Sequence, residues 1–153
     1  MKTINLSGLT KSNWLFIVMA LLSINTTFSQ TSKKAKAGTK ESLAVVRGFF
    51  EAINSGDMKK ARTYMADNHQ YVGPMFSTSN PEDFFKALGE FEMEFAVETQ
   101  DLIGYKNSVT HVSILKVVSP VQASIPCCEV FDIENGKIVR QRFFFDTALF
   151  PKP

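Results

Sequence analysis

The chain is poor in the residues that build most catalytic and metal centres. Its 153 residues include two cysteines, two histidines and one tryptophan, and the cysteines and histidines do not stand at metal-ligand spacing. The sequence also has no glycine-rich phosphate loop and no nucleophile elbow. A zinc site, a nucleotide-binding loop and a serine-hydrolase nucleophile are therefore not indicated, and we expect neither a metal nor a cofactor.

Positive charge is scarce outside the N-terminal segment. From residue 41 onward there are 11 Lys and Arg against 15 Asp and Glu, so the net charge of +2 comes from the first 40 residues. No basic stripe with interleaved aromatic residues is present. The sequence therefore gives no indication of a nucleic-acid partner.

The first 29 residues have the order of a secretory signal peptide. Two lysines precede the apolar run 14–22, which is too short to span a bilayer, and small residues follow up to Ser29. We expect cleavage between Ser29 and Gln30, an exported protein, either periplasmic or secreted, and no stable membrane span after cleavage. A retained membrane anchor is the alternative.

The rest of the chain divides into a tether and one domain. Residues 30–40 are small and basic without apolar periodicity, which predicts a disordered linker. Residues 41–150 contain enough apolar residues, including all but two of the fourteen Phe, for one core. Apolar spacing and the capping residues Asp57 and Asn80 predict three helices, at 42–54, 58–66 and 81–92. Five strands are predicted, at 69–72, 93–104, 108–118, 121–132 and 137–146.

Asn135-Gly136 predicts a β-hairpin near the end of the chain. This dipeptide tolerates the positive φ that a two-residue type I′ turn requires, and β-branched and aromatic runs flank it. Opposed residues share a face of the sheet. With regular strands the expected pairs are Glu134 with Lys137, Ile133 with Ile138, Phe131 with Arg140, Glu129 with Arg142, and Cys127 with Phe144.

Two stretches of this chain resemble the nuclear transport factor 2-like superfamily, and in particular its SnoaL-like branch. They are Phe49-Phe50-Glu51-Ala52-Ile53-Asn54-Ser55-Gly56-Asp57 with Tyr64-Met65-Ala66-Asp67-Asn68, and Glu134-Asn135-Gly136-Lys137-Ile138 leading to Asp146. The resemblance implies an α+β, cone-shaped roll, also called cystatin-like. In such a roll a curved antiparallel sheet packs on three N-terminal helices around an apolar cavity, often in a dimer formed through the sheet. It does not imply a reaction, because many unrelated activities use this fold.

The resemblance argues against steroid-isomerase chemistry. In that branch a Tyr on the first helix and an Asp after the second supply the oxyanion donor and the base. The corresponding positions here are Phe49 and Gly73, neither of which can transfer a proton. A third acid of that branch corresponds to Glu129.

The hairpin supplies the first candidate site. Glu129 opposite Arg142 would be a pocket carboxylate oriented by a guanidinium, which would lower the pKa of the carboxyl. The alternative is a cross-strand ion pair on an exposed or dimer-facing surface. Either face of the hairpin could pack on the helices, and one β-bulge would exchange the faces from that point on.

Asp146 and His69 are the other catalytic candidates. Asp146 ends the last strand, where SnoaL-like cyclases carry a functional Asp, but it could equally satisfy the backbone donors of a turn. His69 and Tyr71 share a face of the short strand that lines the cavity mouth in such folds. The predicted pocket residues are Tyr71, Phe49, Phe131, Arg142 and Phe144.

Three kinds of function remain open at this point. The first is an exported SnoaL-like protein without an assignable reaction, whose Phe-rich cavity binds a small apolar or amphipathic molecule. The second is a cofactor-free isomerase, cyclase or hydrolase that uses Asp146, Glu129 or His69. The third is a non-catalytic domain with a filled cavity that forms a homodimer or binds a partner. Cys127 and Cys128 are adjacent on one strand, where a bond between them would be distorted, so buried thiols or an intermolecular disulfide are expected.

Overall fold

The predicted Asn135-Gly136 hairpin is present and lies inside a six-stranded sheet. A computed structural model describes residues 38–119 and 122–150 of the chain. The first helix, α1, covers residues 38–54. The following elements are α2 (Met58–Thr63), β1 (Met65–Val72), β2 (Ser77–Thr78), α3 (Pro81–Glu90), β3 (Glu94–Tyr105), β4 (Ser108–Ser119), β5 (Ala123–Glu134), β6 (Lys137–Phe145) and a short 3-10 helix (Thr147–Leu149).

The strands form one open, curved sheet in the order β2-β1-β6-β5-β4-β3, against which the three helices pack. The α+β prediction is therefore confirmed. The sheet is mixed and not purely antiparallel, because β1 runs parallel to β6. This single parallel contact places the short N-terminal strand beside the last strand of the chain.

Helix α1 is fixed at both ends to the β3–β4 hairpin. Ser42 Oγ donates to the backbone oxygen of Lys106 at 3.2 Å. At the other end, Asn54 exchanges two hydrogen bonds of 2.9 Å with the backbone of Val97. Residues 38–40 are helical, so the predicted disordered linker is wrong at its end. The predicted leader and the linker up to residue 37 lie outside the described residues.

The two predicted helix caps are confirmed. Asp57 accepts a hydrogen bond from Lys60 N at 2.9 Å, and Asn80 accepts one from Asp83 N at 2.8 Å. Each bond satisfies a backbone donor that the first turn of a helix leaves open. Strand β1 starts at Met65, earlier than predicted, because α2 ends at Thr63. Across residues 38–119 and 122–150, no helix has the length and apolar character needed to cross a membrane.

A β-bulge in the β5–β6 hairpin changes the predicted register. The pairs Glu134–Lys137 and Ile133–Ile138 are as predicted, and Asn135 and Gly136 have φ of 50° and 72°. The next pair is Asp132 with Arg140, which leaves Val139 without an opposite residue. The other three predicted pairs are therefore wrong, and the observed pairs are Phe131–Gln141, Glu129–Phe143 and Cys127–Phe145.

The bulge also decides which side chains face the helices. An extra residue in one strand turns the side chains that follow it to the opposite face. We call the helix-covered side, which carries Tyr71, Glu129, Phe131 and Gln141, the inner face of the sheet; these four residues are all buried. The side that carries Arg142 and its alternate neighbours is the outer face.

Candidate functional site

An apolar cavity of about 100 Å³ lies between the inner face of the sheet and helices α1 and α3. Its solvent end includes Met75, which is 45% exposed, and its buried end includes Glu129, which is 4% exposed. Phenylalanine rings line this space and do not fill it. The polar side chains in the lining are Tyr71, Glu129 and Gln141.

Glu129 is a buried carboxyl whose side chain has one hydrogen-bonding neighbour among the described residues. Gln141 Nε2 donates to its Oε2 at 2.6 Å. Burial raises the pKa of Glu129 to about 8, and the hydrogen bond from Gln141 opposes this rise only in part. No Lys, Arg or His lines the cavity within the described part of the chain. Glu129 is therefore mainly a neutral acid at pH 7, able to donate a hydrogen bond into the cavity.

Tyr71 supplies a second hydroxyl to the cavity wall. Its ring packs against Phe76 and Phe84 at centroid distances of 4.6 and 5.0 Å. Burial raises the pKa of Tyr71, and the nearby Glu129 raises it further, so the phenol keeps its proton. A Cβ atom on Gly73 would overlap the Tyr71 hydroxyl. The absence of a side chain at Gly73 thus makes room for the Tyr71 ring.

His69 is fully buried beside the cavity but does not line it. Its ring meets that of Phe84 at a centroid distance of 5.8 Å. Burial lowers the pKa of His69 to about 4; the positive charge of Arg62 lowers it as well, whereas the side chain of Gln141 favours the charged ring. His69 is therefore a neutral imidazole at pH 7.

His111 is a second neutral imidazole on the inner face. It is directly opposite Glu129 in the β4–β5 pairing, and its Nε2 lies 2.9 Å from Thr99 Oγ1. The Phe50 ring packs against the His111 ring at a centroid distance of 4.1 Å. Burial lowers the pKa of His111 to about 4. Phe50, and not His111, forms the cavity wall at this point.

Three of the residues expected in the site lie elsewhere. Because of the bulge, Arg142 and Phe144 are on the outer face, so their assignment to the pocket is wrong. Arg142 Nη2 lies 3.3 Å from Asp132 Oδ2, and Phe144 is 55% exposed. Asp146 is exposed, and its Oδ1 accepts from Ala148 N at 2.9 Å at the start of the 3-10 helix. A catalytic role for Asp146 stays a prediction, and the residue does not line the cavity.

The other candidates lie on the inner side. Phe49, Tyr71 and Glu129 line the cavity, and Phe131 is fully buried beneath it, in contact with the first helix. Gln141 was not among the predicted site residues. Its position on the inner face depends on the bulge, and no local sequence signal marks that bulge.

The thiols do not form a reactive pair. Cys127 is buried on the inner face and donates to the backbone oxygen of Ile125 at 3.1 Å; Cys128 lies on the outer face. Burial raises the pKa of Cys127 to about 11, so it stays a thiol. The described residues contain no group of three or more His, Cys, Asp or Glu that could hold a metal ion.

Solved structures with this fold were found at low sequence identity. An NTF2-like protein of unknown function from Cytophaga hutchinsonii is 19% identical, with a TM-score of 0.61 over 68% of this chain and 88% of that chain. An LEH-like epoxide hydrolase from M. tuberculosis is 19% identical, with a TM-score of 0.65 over 72% and 86% of the two chains. TerC, co-crystallized with polyporic acid, is 14% identical, with a TM-score of 0.65 over 72% and 95%.

A sequence comparison gives the family directly. No curated protein matches the chain. The sequence profile of the SnoaL-like domain, however, matches residues 46–141, which run from the middle of α1 to Gln141 on β6 and include Glu129. The chain therefore belongs to the SnoaL-like domain family within the nuclear transport factor 2-like superfamily.

Proposed function

We propose that the cavity binds a small, neutral, largely apolar molecule whose one acceptor oxygen meets Glu129. The observation that carries this proposal is a neutral carboxyl at the buried end of a cavity otherwise lined mainly by Phe, Met and aliphatic side chains. Apolar pockets with a few convergent polar groups are typical ligand sites. A ketone, ester or epoxide oxygen is the complementary group, because Glu129 and Tyr71 both offer O–H donors.

Charge distribution argues against an anionic ligand. A carboxylate placed beside Glu129 would be removed from water without a cationic side chain in the cavity lining as described. A neutral acceptor avoids this penalty.

Three ligands of similar size test this proposal. We expect acetophenone to bind roughly fivefold more tightly than isopropylbenzene, since it adds one buried hydrogen bond worth about 1 kcal/mol. Benzoate should not bind detectably. Isothermal titration calorimetry on the mature protein gives the comparison. Equal affinities for acetophenone and isopropylbenzene would contradict the proposal.

Matched variants assign the preference to one carboxyl. Glu129→Leu should remove the preference for acetophenone while leaving the affinity for isopropylbenzene similar. Glu134→Leu changes an exposed carboxyl on the same strand and should leave the preference intact. If Glu129→Leu does not fold, Glu129→Met serves, because its side chain has a similar length and no hydrogen-bond donor.

A second candidate function is general-acid catalysis by the same carboxyl. An acid with a pKa of about 8 in a dry cavity is well placed to protonate an oxygen that gains negative charge in a reaction. One structure with this fold is an LEH-like epoxide hydrolase, which is a fold-level analogy only. Turnover of a neutral epoxide or ketone that survives in Glu129→Gln would contradict this role.

We also propose a homodimer formed through the outer face of the sheet. This face exposes Val72, Ile103, Val112 and Phe144, and the pairing places Val112 and Phe144 in one row across the sheet on either side of Cys128. An exposed apolar face of this kind marks an interaction surface, and a two-fold axis would pair it with itself. Sedimentation velocity checks this, and a monomer at high micromolar concentration would contradict it.

Export is proposed from the leader sequence alone. A mature protein that begins at Gln30, identified by intact mass in an extracytoplasmic fraction, would support it. Retention of residues 1–29 would contradict it.

A further inference from the structure

Gln141 and His69 hold buried polar atoms that lack partners. Among the described residues, neither ring nitrogen of His69 has a hydrogen-bond partner, and neither does Oε1 of Gln141. Both side chains are at most 4% exposed. Buried polar atoms are nearly always hydrogen-bonded, so this group calls for an explanation.

The three side chains Glu129, Gln141 and His69 are arranged in series. Gln141 contacts Glu129 at 2.6 Å on one side. On the other side it lies near His69, because β1 and β6 pair Tyr71 with Gln141 and His69 precedes Tyr71 by two residues on the same face. Gln141 is thus the only one of the three that touches both neighbours.

The 2.6 Å contact also fits more than one hydrogen bond. A distance of 2.6 Å is short for N–H···O but lies within the usual range for O–H···O. A side-chain amide can present either its oxygen or its nitrogen to a neighbour by turning over. The contact can therefore be a donation by a neutral Glu129 to Oε1 of Gln141.

We propose that the Gln141 side chain couples Glu129 to His69 by an amide flip, in which its Oε1 and Nε2 exchange positions. His69 is then a positioning residue for the cavity carboxyl. In the first arrangement Nε2 donates to Glu129, and Oε1 accepts from an N–H of His69. In the second, neutral Glu129 donates to Oε1, and Nε2 donates to a bare nitrogen of His69. Each arrangement gives a partner to Oε1 of Gln141 and to one ring nitrogen of His69.

The two arrangements differ in what Glu129 offers a ligand. In the second, its proton is directed at Gln141. In the first, a neutral Glu129 can direct its O–H at an acceptor in the cavity, and an ionised Glu129 can accept from Gln141. Ligand binding or ionisation should therefore select the same amide orientation and the same His69 tautomer. The tautomer change moves one proton between the two nitrogens of one ring, by exchange with water, and leaves the ring neutral.

A pH titration can ionise Glu129 alone, because the neighbouring groups do not change charge between pH 6 and 9. Tyr71 and Cys127 have raised pKa values and stay protonated, and His111 has a lowered pKa and stays neutral. Arg62 stays charged because Asp67 and Glu82 raise its pKa. Helices α1 and α3 present Phe49, Phe50 and Phe84 to this region.

The experiment is a ¹⁵N NMR titration of histidine-labelled mature protein from pH 6 to 9. The chain has two histidines, so each ring can be assigned. We expect the protonated and bare nitrogens of His69 to exchange identity as Glu129 ionises, while His111, bonded to Thr99, keeps one tautomer. A His69 tautomer that stays constant while Glu129 ionises would overturn the proposal.

Gln141→Met is the decisive variant. Its side chain has a similar length but no amide, so His69 should keep one tautomer throughout, with unchanged His111 signals showing that the fold is intact. A pH-dependent His69 tautomer in this variant would overturn the coupling. If Gln141→Met does not fold, Gln141→Leu replaces it and should also end the exchange, because its side chain has no polar atom. The inference rests on the proposed role of Glu129, whose carboxyl ¹³C signal reports independently whether that residue titrates.

Discussion

The free energy of unfolding should fall by about 2 kcal/mol between pH 6.5 and pH 8 in the unmodified chain and stay level in Glu129→Gln. In the folded chain Glu129 keeps its proton up to about pH 8, whereas in the unfolded chain it releases the proton near its ordinary pKa of 4.5. The folded state therefore binds more protons between these values. This contribution to stability is complete below pH 4.5 and is lost as the pH rises through 8.

The buried histidines act in the opposite direction at lower pH. His69 and His111 have folded pKa values of about 4 against an ordinary 6.5. Their contribution to stability is present above pH 6.5 and is lost as the pH falls toward 4. Maximum stability is therefore expected near pH 6.5. Glu129→Gln should remove the decline above this pH and steepen the rise between pH 4.5 and 6.5, where Glu129 opposes the two histidines.

Urea titrations followed by circular dichroism at pH 5 to 8.5 measure both limbs. Glu134→Gln is the matched control, because it removes an exposed carboxyl from the same strand and should keep the alkaline decline. An equal decline in Glu129→Gln would show that another group causes it.

Two phenylalanines of one hairpin should respond very differently to truncation. Phe131→Ala is expected to lower the free energy of unfolding by about 3–5 kcal/mol, because a fully buried ring is removed and a cavity is left. The Phe131 ring packs against the rings of Phe50 and Phe49 at centroid distances of 5.8 and 6.3 Å. Phe144→Ala, on the outer face, should cost less than about 1 kcal/mol in dilute solution.

This pair of variants tests the face assignment. Without the bulge, Phe144 would share the face of Glu129, and both truncations would be costly. At higher concentration, Phe144→Ala should weaken the proposed dimer, whereas Phe131→Ala affects the protomer itself. Similar costs for both variants in dilute solution would contradict the observed register.

The parts of the fold that local chemistry controls were predictable from the sequence. Asp57 and Asn80 cap helices where expected, since their short polar side chains satisfy the first backbone donors. Asn135-Gly136 forms the expected turn, since both residues accept positive φ. Each of these features depends on a few adjacent residues.

The candidate site was predictable only in part, because it depends on a long-range register. Regular alternation from the turn would pair Glu129 with Arg142. Because Val139 is unpaired, the register shifts by one residue and Glu129 contacts Gln141 instead. The change reverses the electrostatics. An adjacent guanidinium would have lowered the pKa of Glu129, whereas burial beside a neutral amide raises it.

The parallel contact of β1 with β6 was also beyond the sequence pattern. It joins residues about 70 positions apart, and it brings His69 next to Gln141. Local periodicity marks His69 as a residue on one face of a strand but does not identify the strand beside it. The arrangement of Glu129, Gln141 and His69 in series is thus a product of topology.

A ¹³C NMR titration of the Glu129 side-chain carboxyl, with and without acetophenone, measures whether this carboxyl is neutral at pH 7 and whether it contacts a ligand. A neutral acid in an apolar cavity should titrate at about pH 8 in the free protein and at higher pH with the ketone bound, since the ketone accepts a hydrogen bond from the protonated form. Titration near pH 4.5 that acetophenone does not change would contradict both the neutral carboxyl and its contact with a ligand.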